Sequence, residues 1–380
     1  MKIKKGNNKI VFGEQTFIIS DFKGKEIGSF FEFPELEFKI NNNAAYNDLV
    51  NCYKNFVFLG DGRQAIKAVL LNINDNKRKS YLPAYICHSI IQPFHELKFN
   101  VEFYGHESHL KQILSGIEIK NSIIFIVDYF GTEFISNNEI YEFLDNENIV
   151  ILDVSHSFFN KNRFLIKHDN FYIISSLRKM FPIPDGGVVY YNNPEFEVIQ
   201  SYSSDYEKML EAMLLKYYYL NNNSRLRVDL SELKKDFLFF YKNYEEKKDQ
   251  LINLHNISNI SLYILKNSLM SNIIEKRLGN LKFLYENINL ENFLFDFDEI
   301  KSPFFLPLIF ENRQKRNKIK NLLAENGVYA PVHWDVKNVS PSMYHYEHEL
   351  SEKILSIPID QRYELDDMSR ICDILNNTNI

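Results

Sequence analysis

The sequence has little of what marks several functional classes. Its 380 residues include only three cysteines, Cys52, Cys87 and Cys372. They are odd in number and far apart, so neither a disulfide framework nor a zinc cluster follows from them, and no metal is expected. No lysine- or arginine-rich run rises above the background, and the net charge of −6 argues against nucleic acid as a partner. Apolar runs are short, Ile123–Val127 being among the longest, far from the length of a membrane span. The basic start, Met1-Lys2-Ile3-Lys4-Lys5, is not followed by the uninterrupted apolar stretch of a secretory leader. There is no internal repeat and no low-complexity tract. These absences point to a soluble, cytoplasmic protein with no membrane partner.

What is present is ordinary globular composition, 45% hydrophobic and 25% charged, with 32 Phe and 23 Tyr. The length suits one large and one small domain. Residues 1–50 read as short strands and turns punctuated by Gly13, Gly24 and Gly28. Residues 51–240 read as the large domain, and 241–380 as linking helices with a small C-terminal domain.

Within the large domain, strands alternate with helices. Phe56–Leu59, Asn100–Tyr104, Ser122–Asp128, Ile149–Asp153, Phe171–Ile174 and Val188–Tyr190 are strand-like. Ile66, Val69, Leu70 and Ile73 give Arg63–Ile73 a helical period, and Glu139–Leu144 reads as a helix capped by Ser136. Such alternation predicts an α/β fold with a mostly parallel central sheet covered by helices. The polar stretch from Pro194 to Asn289 favours helix. Beyond it come a strand (Phe304–Phe310), a helix (Arg313–Ala324), strands after Gly327 and at Ile354–Ile357, and a last helix with Leu365, Met368, Cys372 and Leu375 on one side.

One stretch carries chemistry. Ser175-Ser176-Leu177-Arg178-Lys179 lies between the apolar strand Phe171–Ile174 and the turn Asp185-Gly186-Gly187. A lysine at a strand-to-turn junction has a fixed position and an amine that its surroundings can hold unprotonated, which a Schiff-base lysine needs. Upstream, Ile149-Val150-Ile151-Leu152-Asp153 is a buried strand ending in a carboxylate, followed by His156. Ligands of open α/β sheets bind at that edge. An acid against a pyridine nitrogen plus a lysine for an aldehyde is the pair pyridoxal phosphate requires; a lone strand-end aspartate more often caps the following loop. Gly60-Asp61-Gly62-Arg63-Gln64 joins the first strand to its helix, where free N–H groups favour a phosphate, though ordinary turns use the same residues. Tyr81-Leu82-Pro83-Ala84-Tyr85-Ile86-Cys87-His88 offers flat side chains for a ring to stack on, or simply a packed aromatic edge.

In this order, the motifs resemble the DegT-type sugar aminotransferases, pyridoxal phosphate enzymes of fold type I. Gly327-Val328-Tyr329-Ala330-Pro331-Val332-His333-Trp334 and Leu355-Ser356-Ile357-Pro358 extend the likeness to most of the chain. The resemblance implies that Lys179 is the Schiff-base lysine and proton shuttle. It implies further that Asp153 pairs with the pyridine nitrogen, that His156 lies near the ring hydroxyl, and that Gly62, Arg63 and Gln64 cradle the phosphate with Ser175 or Ser176. The stacking position falls at Cys87 or His88; His88 is preferred because an imidazole is flat. His333 and Trp334 would border the substrate entrance. The family's Gly-x-Asn-x-Arg motif is not visible, and Asn256 is the candidate for its asparagine. At the phosphate turn, Gly62-Arg63-Gln64 stands where relatives commonly carry Gly-Thr-Ser.

The implied activity moves an amino group from L-glutamate to the ketone of a sugar nucleotide or similar substrate, as in surface polysaccharide biosynthesis. The implied assembly is a homodimer with shared sites. A small phosphorylated ketone is the alternative acceptor, motivated by Arg63, Arg178 and Arg362. A cofactor-binding sensor without catalysis is a further reading. Members of the sugar dehydratase branch carry histidine in place of the lysine, so Lys179 argues against that chemistry.

Overall fold

The computed structural model describes residues 9–12, 15–18, 24–34, 44–112, 114, 119–221, 229–248, 253–267, 273–289 and 292–378. Gly13, the start at Met1–Lys5 and much of the N-terminal segment lie outside the described residues. Near the N-terminus, β1 (Lys9–Phe12) and β2 (Gln15–Ile18) pair antiparallel, and β3 (Ile27–Gly28) and α1 (Ala44–Asn51) follow.

The large part contains β4 (Asn55–Leu59), α2 (Gly62–Ile73), β5 (Lys79–Pro83), α3 (His88–Glu96) and β6 (Asn100–Tyr104). It continues with β7 (Ile123–Val127), α4 (Asn137–Asp145), β8 (Ile149–Asp153), β9 (Phe171–Ser176) and β10 (Gly187–Tyr191). Seven strands form one sheet in the order β4-β10-β9-β8-β7-β5-β6. β6, β5, β7, β8 and β9 run parallel, and β10 is antiparallel to both neighbours. All residues of β7 and β8 are buried, as near-continuous Ile, Val and Leu runs dictate for strands covered on both faces. Each such side chain contributes about 1.5–3 kcal/mol on leaving water.

The helical middle comprises α5 (Glu207–Leu220), α6 (Leu230–Lys248), α7 (Asn259–Asn267) and α8 (Ile273–Asn287). The C-terminal part has β11 (Phe305–Ile309), α9 (Arg313–Glu325), β12 (Val328–Tyr329), α10 (His345–Lys353), β13 (Ile354–Pro358) and α11 (Leu365–Asn376). β11 pairs antiparallel with β13, and β12 pairs parallel with β3.

The expected α/β architecture is therefore observed, with strand ends within a residue or two. Ser136 caps α4 through a full capping box. Three helices differ from the sequence reading. α1 lies in the N-terminal segment read as short strands and turns, α3 begins at His88, where no helix was expected, and α10 has no counterpart there. In α11, Met368, Cys372 and Leu375 are buried, but Leu365 is half exposed because it is the first helical residue and projects past the packed face.

The strand order decides where a site can form. From β5 the chain steps outward to β6, then returns to β7 on β5's other side and proceeds to β8 and β9. The order reverses between β5 and β7, and the carboxyl ends of strands at such a switch point open a crevice. Tyr85 follows β5, Tyr129 and Phe130 follow β7, Asp153 ends β8, and Lys179 lies just past β9.

Candidate active site

Asp153 and Lys179 reach the same sheet edge because β8 and β9 are parallel neighbours, with Asp153 in register with Ile174. The Ser155 N–H donates to Asp153 Oδ1 at 2.8 Å, and Ser155 Oγ accepts from the Ser176 N–H at 2.8 Å. Ser155 thus links the acid to the strand that carries the lysine. Asp153 Oδ2 has no hydrogen-bond partner among the described residues. Lys179 closes a single 3-10 turn, Leu177–Lys179, directly after β9.

The Lys179 amine lies 3.2 Å from His156 Nε2. On the other side of that ring, the Phe130 N–H donates to His156 Nδ1 at 3.4 Å, so a neutral imidazole carries its proton on Nε2, facing the amine. Burial pushes the His156 pKa well below the usual histidine range, so the ring is neutral at neutral pH. The ring is sandwiched, with Phe304 stacked at 4.0 Å between centroids and Trp334 at 5.3 Å. Lys179 Nζ is 5.9 Å from the centroids of both Phe304 and Trp334.

His333 completes the wall, 6.0 Å from the His156 ring and bonded through Nδ1 to Ser356 Oγ at 2.9 Å. Buried Tyr85 holds this segment from below. Its hydroxyl donates to the His333 carbonyl and accepts from the Trp334 N–H. Tyr129 Oη in turn donates to the Tyr85 carbonyl at 2.6 Å.

The turn at the start of α2 is built by close backbone approach. The Gly186 N–H donates to the Gly60 carbonyl at 2.6 Å, and a side chain on Gly187 would put Cβ 2.2 Å from the Asp61 carbonyl oxygen. Gly62 backs onto Ser176, where a Cβ would lie 3.1 Å from the serine Cβ. Ser175 Oγ is buried without a hydrogen-bond partner among the described residues. Asp61 caps α2 by accepting the Gln64 N–H at 3.0 Å. Burial opposes its charge, but Lys248 at 3.5 Å and that N–H outweigh burial and hold the carboxyl below its usual range.

The structure brings Lys179, Asp153, His156, Ser175, Ser176, Gly62, His333 and Trp334 to one edge. Gln64 lies at the same turn, but its side chain is committed inside the chain. Its Oε1 accepts from the Gly60 and His255 N–H groups, and its Nε2 lies 2.8 Å from His255 Nε2. Asn256 follows that histidine and donates its N–H to the Ser201 carbonyl. His88 is exposed as the first residue of α3, whereas Cys87 is half-buried at its N-cap. The three arginines are engaged: Arg63 with the Lys248 carbonyl, Arg178 with Glu245 at 3.2 Å, and Arg362 with Asp360 at 2.7 Å and Glu32 at 2.9 Å.

Ser155, Phe130 and Phe304 line the same edge, although the sequence alone does not single them out, and Tyr85 of the aromatic stretch supports it from within the core. Ser155 lies inside the Asp153–His156 motif. Phe304 reaches the lysine only through folding of the C-terminal part, and no local pattern marks it.

No family model matches the chain, and no curated protein matches it. Solved structures do. DesV from S. venezuelae, determined in complex with a ketimine intermediate, superposes with a TM-score of 0.57 at 12% identity, covering 88% of this chain and 87% of that one. The chain has the aminotransferase fold of type I. The sugar aminotransferase CalS13 from Micromonospora echinospora superposes with a TM-score of 0.54 at 11% identity, covering 90% of this chain and 92% of that one. A DegT DnrJ EryC1 StrS aminotransferase from Brucella abortus gives 0.52, 12% identity and 88% of each chain. Among the described residues, no helix is long and apolar enough to cross a membrane, and no cluster of His, Cys, Asp and Glu is arranged for a metal.

Proposed function

We propose that this chain is a pyridoxal phosphate-dependent aminotransferase that moves an amino group from L-glutamate to a ketone on a sugar nucleotide or similar polyol. The observation that carries this reading is the half-buried lysine amine at the carboxyl edge of the parallel sheet, with a carboxylate at the end of the neighbouring strand. The residues fit the cofactor. Among the described residues, Asp153 Oδ2 has no hydrogen-bond partner and Ser175 Oγ is buried without one, and Gly62 leaves against Ser176 a space that a Cβ would crowd. Helix geometry leaves N–H groups in the first turn of α2 without intrahelical partners, which suits a phosphate.

When bound, the cofactor supplies an electron sink conjugated to the substrate's Cα. Asp153 would keep its ring nitrogen protonated. Lys179 would hold the aldehyde and, once displaced by the donor, move a proton between substrate and cofactor carbons as general base and acid. His156, neutral and clamped between aromatic rings, would direct its Nε2 proton at the lysine nitrogen. Phe304, Trp334 and His333 would exclude water from the proton transfer. Gly62, Ser175 and Ser176 would receive the phosphate with the backbone of Arg63.

The sugar-type acceptor rests on likeness to the sugar aminotransferase fold and on the aromatic rings of Phe304 and Trp334 beside the Lys179 amine. Because Arg63, Arg178 and Arg362 are all engaged elsewhere in the chain, a small phosphorylated ketone loses the residues that motivated it. A homodimer that shares its sites, a cytoplasmic setting and a role in surface polysaccharide synthesis belong to the same reading. The test is covalent capture: borohydride reduction of the cofactor-loaded protein followed by peptide mass spectrometry. Label on Lys179 supports the assignment; label on any other lysine refutes it.

A further inference from the structure

Arg277, on α8, is 1% exposed and has no ion-pair partner among the described residues. Its Nε donates to Gln361 Oε1 at 2.9 Å, and its Nη1 donates to the carbonyls of Pro303 and Phe304 at 3.3 and 3.1 Å. Gln361 Nε2 then donates to the carbonyl of Met180, the residue after Lys179, at 2.9 Å. The path closes on itself, because the Phe304 ring stacks on His156 and lies over the Lys179 amine.

A buried guanidinium is costly when its hydrogen bonds go to neutral oxygens and the nearest carboxylate, Asp360, acts on it only from beyond ion-pair contact, and an apolar residue of similar size often serves stability as well or better. Burial lowers even its pKa, to about 10. Stability alone therefore gives a weak reason for Arg277. Geometry gives a stronger one: one rigid planar fork fixes the aromatic wall and, through Gln361, the turn that carries the lysine.

We propose that Arg277 and Gln361 are positioning residues that hold the Lys179 turn in register with Phe304, coupling the C-terminal part to the reacting amine. Neither touches the amine, and both act through the Met180 and Phe304 carbonyls. The inference rests on reading Lys179 as the reacting group. It specifies which residues set that amine's place.

Gln361→Glu separates positioning from stability. The carboxylate still accepts from Arg277, now as an ion pair, but has no N–H for the Met180 carbonyl and repels it. In the cofactor-free protein, Lys179 acetylation is followed by peptide mass spectrometry against exposed Lys282, together with the emission of Trp334, the only tryptophan. We expect a melting temperature within about 2 °C of the parent's, at least threefold faster labelling of Lys179, and a shifted Trp334 emission. The cofactor-loaded variant should convert donor about tenfold more slowly at saturating donor, with KM little changed. Gln361→Met, which removes both bonds, should raise Lys179 labelling in the same way and serves if the glutamate variant does not fold. Unchanged Lys179 labelling in the folded variants would overturn the proposal. Faster labelling in a chain that converts no donor even as the parent would leave the tie standing and refute the aminotransferase reading instead.

Discussion

Lys179 and His156 form the smallest unit from which the proposed activity follows. Lys179→Ala should remove borohydride-trapped cofactor and lower turnover by at least about a thousandfold, since covalent attachment and proton transfer are both lost; activity within tenfold of the parent would contradict the assignment. His156 makes a prediction about pH. Its folded-state pKa is depressed, so the unfolded chain binds a proton near pH 6.5 that the folded chain refuses. Stability is present above that pH and falls as pH drops, with a limiting slope of about 1.4 kcal/mol per pH unit from this one group. His156→Gln should flatten the stability curve between pH 6 and pH 5, measured by urea unfolding, and parallel curves would refute the buried neutral ring. That Lys179, Asp153 and His156 share one sheet edge was legible in the sequence because each stands at a strand end within a short apolar context. The direction of the His88 side chain was not. Planarity favoured His88 over Cys87, but side-chain type says nothing of direction, and α3 starts at His88 with that side chain in solvent.

At the scale of elements, the turn between β4 and α2 works by what it omits. Gly62 lies where a side chain would press on Ser176, and the Asp185-Gly186-Gly187 turn passes close enough to need glycine at 187. Gly62→Val should weaken cofactor binding at least tenfold, by titration followed in absorbance, while α2 remains capped by Asp61; undiminished affinity would mean that the phosphate is held elsewhere. The strands and α2 were readable because a continuous apolar run and a 3.6-residue period are local signals. α10 (His345–Lys353) escaped because it is short and mostly polar, with few buried residues to establish a period. Gln64 shows a different limit. A glutamine at a phosphate turn reads as a ligand, yet its amide joins the Gly60 and His255 backbones, a contact across nearly two hundred residues that no spacing reveals.

For the whole molecule, the site exists only where two parts of the chain meet. The sheet edge supplies Asp153, His156 and Lys179. The C-terminal part supplies Phe304, His333 and Trp334, with its own Gln361 and Arg277 of the helical middle behind them. The first set belongs to consecutive strands and their motif order could be read. The second depends on how the C-terminal part docks, so Phe304 and Arg277 carried no local mark. The proposed homodimer should appear in sedimentation at micromolar concentration, and a monomer alone would contradict it. The central claim is that this chain binds pyridoxal phosphate through Lys179 and accepts an amino group on it. The most direct measurement is the absorbance spectrum of the purified protein with pyridoxal phosphate, before and after L-glutamate. The account predicts a lysine-bound cofactor band that gives way to that of pyridoxamine phosphate as 2-oxoglutarate appears. A protein that acquires no cofactor band, or a band that no amino donor changes, would contradict it.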